Sequence, residues 1–268
     1  MTLRVRDLMR TNLITCPPNT TLGAAAAMLA RYHVHAIVVA DPSGLQQGVV
    51  SDVDLLAGEW LSKNPEGLNA MRTMTAEQLM STPVATIDAD APASEAAARL
   101  RAEHIHRLIV TEHDRGIGVL SVSDLVRVLI PNLPERQTVS QMMSRGIVVC
   151  REDTPVSAAA RAMTERRSRS VVVVDTHGRP LGVVTGFDLL PFVISANGDE
   201  PVSTIMRAPI TIGPEATLRE AADRMLQGHI HRLVVVDPAY PDGMPLGLIS
   251  TSDIVIEMAA PGSVWQTS

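Results

Sequence analysis

A nine-residue pattern occurs four times in the chain, and it limits the possible folds more than any other feature of the sequence. Each copy has Gly, two aliphatic residues, Ser or Thr, two variable residues, Asp and two aliphatic residues. The copies are GVVSDVDLL from Gly48, GVLSVSDLV from Gly118, GVVTGFDLL from Gly182 and GLISTSDIV from Gly247. Their aspartates recur about every 65 residues, which is too long for a solenoid repeat and fits a small domain present four times.

The same elements precede each copy of the pattern. Apolar residues at i, i+3, i+4 and i+7 predict one buried stripe on an amphipathic helix. A β-branched run follows, then a turn rich in Gly, Pro and Asp, and then the strand that carries the pattern. The predicted order in each repeat is therefore strand, helix, strand, strand, helix. The four stripes are Leu22, Ala25, Ala26 and Leu29; Ala93, Ala96, Ala97 and Leu100; Val156, Ala159, Ala160 and Met163; and Leu218, Ala221, Ala222 and Met225.

These elements predict an α/β (α+β) fold in which four repeated units each have a small sheet with flanking helices. Stretches rich in Pro, Gly and polar residues predict linkers at 58–73, 130–138 and 195–201. Units of this size are marginally stable alone, so we expect them to pair into modules of residues 1–130 and 136–260. The predicted units are residues 1–58, 74–130, 136–193 and 200–260.

Composition and charge exclude several classes of protein. The net charge of −6 gives no overall attraction to nucleic acid or to an anionic membrane. No run of about 18 apolar residues could span a bilayer, and the opening MTLRVRDLMR lacks the apolar run of a secretory signal. Cys16 and Cys150 are too few for a disulfide framework, and they follow Met9 and Met143 at matching distances, as core residues in equivalent repeats would. We predict a soluble cytoplasmic protein.

The repeated pattern has the chemistry of a nucleotide contact. A Ser or Thr that ends a strand and starts a helix lies beside unpaired amide N–H groups, and that end of a helix attracts phosphate. An Asp three residues later offers two acceptor oxygens, which suit the paired hydroxyls of a ribose. The candidate contacts are Ser51 with Asp54, Ser121 with Asp124, Thr185 with Asp188, and Ser250 with Asp253.

The same pattern also has a purely structural interpretation. Ser or Thr followed three residues later by an acid is a helix capping box, as at Thr217 and Glu220, and capping alone would make it recur in every copy of a repeated fold. The pattern therefore establishes repetition more firmly than it establishes binding.

The chain resembles four tandem cystathionine-β-synthase (CBS) domains organised as two Bateman modules, since the same pattern follows the same helix and strand four times. In that family, paired domains form clefts that commonly bind AMP, ADP, ATP or S-adenosylmethionine. The resemblance thus implies a stand-alone regulatory sensor that binds an adenosyl ligand and requires no cofactor. It implies no catalytic activity, and the regulated protein partner is unknown.

A basic cluster stands just before the second strand of each repeat. In nucleotide sensors of the CBS family a His-Arg pair at this position meets phosphate, and the matching residues are His106 with Arg107 and His231 with Arg232. A guanidinium offers forked donors that suit phosphate oxygens. The other repeats depart from the pair, with His35 followed by Ala in the first and Arg169 followed by Ser in the third. Whether each pair serves its own repeat or a neighbour is left open.

Two other functions remain alternatives. The chain could be a structural or dimerisation scaffold that binds no nucleotide. It could also bind metal, because His33 with His35, His104 with His106, and His229 with His231 form His-x-His pairs whose members would share one face of a strand. Zinc needs three or four ligands, so one pair is insufficient. The modules could close within one chain or pair with those of a second chain as a homodimer.

Overall fold

The structure is a computed structural model that describes residues 3–60, 73–133, 136–195, 198–240 and 242–258. Each repeat forms one three-stranded sheet. The first strand pairs parallel with the second, and the second pairs antiparallel with the third. The predicted fold class and element order are thus confirmed. Residues 61–72 of the first predicted linker, and parts of the other two, lie outside the described residues.

The first two repeats have matching elements. In repeat 1 a 3₁₀ turn at Val5–Asp7 comes before the first strand, and in repeat 2 a short helix takes its place. The elements of repeat 1 are β1 (Thr15–Cys16), α1 (Leu22–Tyr32), β2 (Ala36–Ala40), β3 (Gln46–Ser51) and α2 (Asp52–Trp60). Those of repeat 2 are α3 (Ala76–Leu79), β4 (Thr86–Asp88), α4 (Ala93–Ala102), β5 (Arg107–Glu112), β6 (Arg115–Ser121) and α5 (Val122–Leu129), which continues into a 3₁₀ turn at Ile130–Asn132.

The last two repeats follow the same order. Repeat 3 opens with a short helix, and repeat 4 opens with a 3₁₀ turn at Val202–Thr204. The elements of repeat 3 are α6 (Val139–Met142), β7 (Val149–Arg151), α7 (Val156–Glu165), β8 (Ser170–Val174), β9 (Pro180–Thr185) and α8 (Gly186–Ser195). Those of repeat 4 are β10 (Thr211–Ile212), α9 (Leu218–Gln227), β11 (Arg232–Val235), β12 (Gly247–Ser250) and α10 (Thr251–Met258).

The first long helix of each repeat buries the predicted apolar stripe. All sixteen stripe residues are buried in the cores. Thr217 caps α9 by accepting a hydrogen bond from the Glu220 amide at 3.1 Å, whereas the Glu220 carboxylate accepts from Arg224. The Thr half of the predicted capping box is therefore present, and it satisfies one of the amides left unpaired at a helix start.

The residues just before the first strand of each repeat, called its leading segment below, pair with the sheet of the repeat next to it in the sequence. Arg10 pairs with Val119 of repeat 2, and Ser81 pairs with Val49 of repeat 1. In the second half, Ser144 pairs with Leu248 of repeat 4, and Arg207 with Val183 of repeat 3. In every case the partner residue lies two positions before the Ser or Thr of the repeated pattern. The four leading residues are therefore structurally equivalent.

The described residues group into two compact units. The even unit contains Met1–Leu13, Ala85–Gly146 and Ile210–Ser268, so its core comes mainly from repeats 2 and 4. The odd unit contains Ile14–Val84 and Ile147–Pro209, and its core comes mainly from repeats 1 and 3. This division differs from the predicted modules of residues 1–130 and 136–260, because helices of alternate repeats bury their apolar faces together while only leading segments are exchanged between sequence neighbours.

The two cysteines occupy equivalent positions on first strands. Cys16 of β1 lies opposite Val39, and Cys150 of β7 lies opposite Val173. Both are free thiols whose pKa is raised by burial. Among the described residues, no helix combines the length and the apolar character that crossing a membrane requires.

Candidate functional site

All four Ser/Thr-Asp pairs lie where the third strand of a repeat runs directly into the following helix. In each pair the Asp Oδ2 accepts hydrogen bonds from both the backbone amide and the hydroxyl of the Ser or Thr. The amide bonds are 2.7 to 3.0 Å long. The hydroxyl bonds are 2.6 to 2.7 Å in three pairs, and Ser121 makes the same bond to Asp124. Oδ2 is thus used for capping in every copy, and the copies differ in the surroundings of Oδ1.

The Oδ1 atoms of Asp124 and Asp188 are bound by arginines from leading segments. Arg10 donates from Nε to Asp124 Oδ1 at 2.9 Å, and Arg207 donates from Nε to Asp188 Oδ1 at 2.7 Å. The two carboxylate side chains are only 4% and 5% exposed, whereas the arginines are 64% and 69% exposed. Each arginine therefore lies on the solvent side of a buried carboxylate.

Asp54 and Asp253 have different surroundings. Both are partly buried, and the equivalent leading residues are Ser81 and Ser144. Burial raises the pKa of Asp253, and the Ser250 hydrogen bonds and the charge of Arg232 act in the opposite direction. These two carboxylates are capped like the others but have no leading arginine.

The two HIHR clusters make reciprocal contacts in the even unit. His106 Nδ1 lies 2.9 Å from the Ser252 hydroxyl, and His231 Nδ1 lies 3.0 Å from the Ser123 hydroxyl. Ser252 and Ser123 are the second residues of α10 and α5, the helices that carry Asp253 and Asp124. Each imidazole therefore reaches the helix start of the other repeat in its unit.

In the odd unit the corresponding positions have different chemistry. His35 Nδ1 lies 2.9 Å from Oδ2 of Asp52, and its ring centroid is 5.2 Å from that of Phe187. Arg169 of repeat 3 is partly buried, and this desolvation lowers its pKa while the charges of Asp52 and Asp54 act to raise it. Arg169 thus brings a cation to the helix start of repeat 1.

The first histidine of each His-x-His pair is not on a strand. His33, His104 and His229 have left-handed backbones with φ of 51°, 52° and 49°, as does Arg167 at 50°. The following residue donates its amide back to the helix, as Ile105 does to Leu100 at 3.1 Å, which is the hydrogen bond of a Schellman motif. The prediction that paired histidines share a strand face is wrong, because the strands begin only after the second histidine.

The described residues contain no group of three or more His, Cys, Asp or Glu side chains that could hold a metal ion. No observation on these residues favours the metal-binding alternative.

Sequence reasoning missed Arg10 and Arg207. A signal was present, because an apolar residue and a Met precede the equivalent residue in each leading segment. The four sequences are LMR at 8–10, LMS at 79–81, MMS at 142–144 and IMR at 205–207. The repeat identifies equivalent positions, but only the folded chain brings them beside the aspartates.

Comparison with known proteins agrees with this architecture. The CBS-domain family model matches residues 5–59, 76–131, 139–195 and 202–260. The chain therefore belongs to the CBS-domain family and consists of four tandem CBS domains.

Two relatives match most of the chain. The structure of MJ1225 from Methanocaldococcus jannaschii, described as a candidate archaeal homologue of g-AMPK, has a TM-score of 0.84 at 19% identity and covers 96% of this chain and 100% of its own. The uncharacterised protein MJ1404 of the same organism is 28% identical over 197 residues, which are 71% of this chain and 46% of that protein. The chain thus spans about half the length of MJ1404.

A further solved structure matches a single pair of domains. The CBS domain protein PAE2072 from Pyrobaculum aerophilum, whose structure holds AMP, is 26% identical and covers 46% of this chain and 98% of its own, with a TM-score of 0.41.

Proposed function

We propose that this protein is a regulatory CBS-domain protein that binds an adenosyl ligand, such as AMP, ADP, ATP or S-adenosylmethionine, at the starts of its pattern-bearing helices. The observation that carries the proposal is that basic side chains lie close to aspartate carboxylates with the chemistry to bind a ribose. His106 reaches the start of the helix that carries Asp253, and the charge of Arg232 acts on the same carboxylate. Arg169 acts in the same way on Asp54.

Both parts of a nucleoside phosphate have complementary groups in this arrangement. Helix amide groups together with imidazole and guanidinium donors suit the phosphate. A carboxylate oxygen that is not used for capping suits a pair of ribose hydroxyls. The adenine preference comes from the family. We further propose that the predicted modules, residues 1–130 and 136–260, are the pairs of domains that respond to the ligand.

Regulation follows if the ligand binds one arrangement of the domains more tightly than another. The bound arrangement then becomes more populated, and a surface for a protein partner is exposed or hidden. Small-angle scattering with and without saturating AMP tests this step, and we expect the two profiles to differ. Superimposable profiles would contradict it.

Isothermal titration of the four adenosyl ligands into the purified protein tests the binding. We expect micromolar affinity for at least one ligand, which corresponds to about −8 kcal/mol. The double substitutions His106→Ala with Arg107→Ala, and His231→Ala with Arg232→Ala, should each weaken binding about tenfold or more because phosphate donors are lost.

A matched control keeps this test specific. Arg115 is exposed at the start of β6, away from the helix starts, so Arg115→Ala should leave affinity unchanged. If none of the four ligands binds the wild-type protein, the chain is a CBS scaffold, and the repeated HIHRL segment reflects duplication of the fold alone.

A further inference from the structure

We propose that an adenosyl ligand binds at two of the four helix starts, those of Asp54 and Asp253, which we call open. At the other two, which we call closed, Arg10 and Arg207 block binding. The inference rests on the proposed function and adds the number and the position of its binding sites. It follows from a difference among four equivalent positions, at which the leading residue is Arg in two copies and Ser in two.

The four leading residues are held in the same register, so the difference lies in the side chain. The amides of Arg10, Ser81, Ser144 and Arg207 all donate to a carbonyl two residues before the patterned Ser or Thr. The lengths of these four bonds are 2.9 to 3.0 Å. A side chain at this position is therefore directed to the same place relative to the aspartate in each copy.

At Asp124 and Asp188 both carboxylate oxygens already accept hydrogen bonds from the protein. Oδ2 accepts two hydrogen bonds from the patterned Ser or Thr, and Oδ1 accepts the bond from arginine Nε. A ribose hydroxyl would have to compete with the charge-assisted arginine bond at Oδ1, and displacing that bond would leave a buried carboxylate without its counter-ion. The exposed arginine also covers the carboxylate from the solvent side.

At Asp54 and Asp253 the corresponding oxygen is not used in this way. Within the part of the chain that the structure describes, both carboxylates accept hydrogen bonds from their own capping residue, Ser51 or Ser250, and Asp253 also accepts one from its own backbone amide. Neither forms a salt bridge with a leading segment, because serine cannot supply the charge. Both retain a guanidinium that acts on them through its charge, Arg169 for Asp54 and Arg232 for Asp253.

The two open helix starts are distributed evenly. Asp54 belongs to repeat 1 in the odd unit, and Asp253 belongs to repeat 4 in the even unit. Each unit therefore has one open and one closed helix start. Each predicted module, residues 1–130 and 136–260, also has one of each kind.

A reciprocal exchange of side chains tests the inference. The double variant Arg10→Ser with Arg207→Ser gives the closed copies the residue of the open ones, and Ser81→Arg with Ser144→Arg does the reverse. All four positions are exposed, so the substitutions leave the cores intact. Thermal melting of the unliganded proteins checks that each variant is folded.

Equilibrium dialysis with labelled AMP then counts bound ligand for each protein. We expect two AMP per wild-type chain, three or four after the Arg→Ser exchange, and fewer than one after the Ser→Arg exchange. Four AMP per wild-type chain, or loss of AMP in the Arg→Ser variant, would overturn the inference while leaving the proposed function intact. In the second case Arg10 and Arg207 would be ligand contacts.

Aspartate variants provide an independent count. Asp54→Asn and Asp253→Asn should each remove one AMP, whereas Asp124→Asn and Asp188→Asn should leave two bound. Equal losses at all four positions would overturn the inference. If dialysis with AMP, ATP and S-adenosylmethionine detects no binding to any of these proteins, the proposed function itself fails, and the inference fails with it.

Discussion

In the even unit each of the two helix starts has a serine hydroxyl in contact with a histidine of the other repeat. In the odd unit the equivalent positions differ, because His35 contacts Asp52 and Phe187, and Arg169 is a partly buried cation. Both units bury the same helical stripes beneath the same three-stranded sheets. The apolar frame is therefore common to the four repeats, while the polar residues at the helix starts differ.

Core truncation should have the largest effect and should be similar in the two units. Leu29 of the odd unit and Leu100 of the even unit are equivalent stripe residues that are 0% and 3% exposed. Replacing either with Ala should destabilise the fold by about 2–5 kcal/mol, since a cavity is left in a packed core. Urea unfolding measures both losses. A loss below about 1 kcal/mol in one unit would show that the two cores are not equivalent.

Asp52→Ala should have the next largest effect, and it is specific to the odd unit. Asp52 is 5% exposed, lies within hydrogen-bond distance of His35 and stabilises the charge of the partly buried Arg169. Its removal should reduce stability by about 1–3 kcal/mol, because a partly buried cation loses a counter-ion. The matched control is Thr251→Ala at the equivalent position of repeat 4. Equal losses for the two variants in urea unfolding would argue against a special electrostatic role for Asp52.

Ser123→Ala and Ser252→Ala should have smaller and equal effects in the even unit. Each removes the hydroxyl that lies against a histidine, and one such hydrogen bond contributes about 0.5–1.5 kcal/mol. Chemical denaturation of each variant, and of the double variant, measures this symmetry. A difference of more than about 1 kcal/mol between the two single variants would show that the reciprocal contacts are not equivalent in energy.

The smallest effect should be a pH dependence at Asp253. Its pKa is raised above the ordinary 3.8 because burial disfavours the charged form. The stabilising contribution of the neutral carboxyl is therefore fully present below pH 3.8 and is lost as the pH rises through the folded pKa. Relative to Asp253→Asn, which does not ionise, the wild-type protein should become more stable as the pH falls from 7 toward 4.

Unfolding in urea at several pH values measures that difference. The affinity for a ligand at Asp253 should have the opposite pH dependence to stability. It should fall on acidification, because the ribose hydroxyls need an ionised carboxylate as acceptor. A stability difference between wild-type and Asp253→Asn that does not change with pH would contradict the raised pKa.

Local sequence patterns were sufficient to predict the repeated frame. The four stripes, the strand order and the Ser/Thr-Asp pairs all follow from local periodicity, because residues that share a helix face or cap one helix end are only three or four positions apart. The family and the candidate aspartates could therefore be predicted without coordinates. The strand position given to the first histidines was wrong, because non-glycine residues seldom adopt the left-handed conformation that ends those helices.

Which repeats share a core, and which aspartates are covered by an arginine, became visible only in the folded chain. Arg10 lies 114 residues from Asp124 along the chain, and His106 lies 146 residues from Ser252. Such contacts depend on which sheet edge a leading segment joins and which helices pack together. Spacing in the sequence carries no information about either choice, because four similar repeats offer several apolar faces and sheet edges that are locally equivalent.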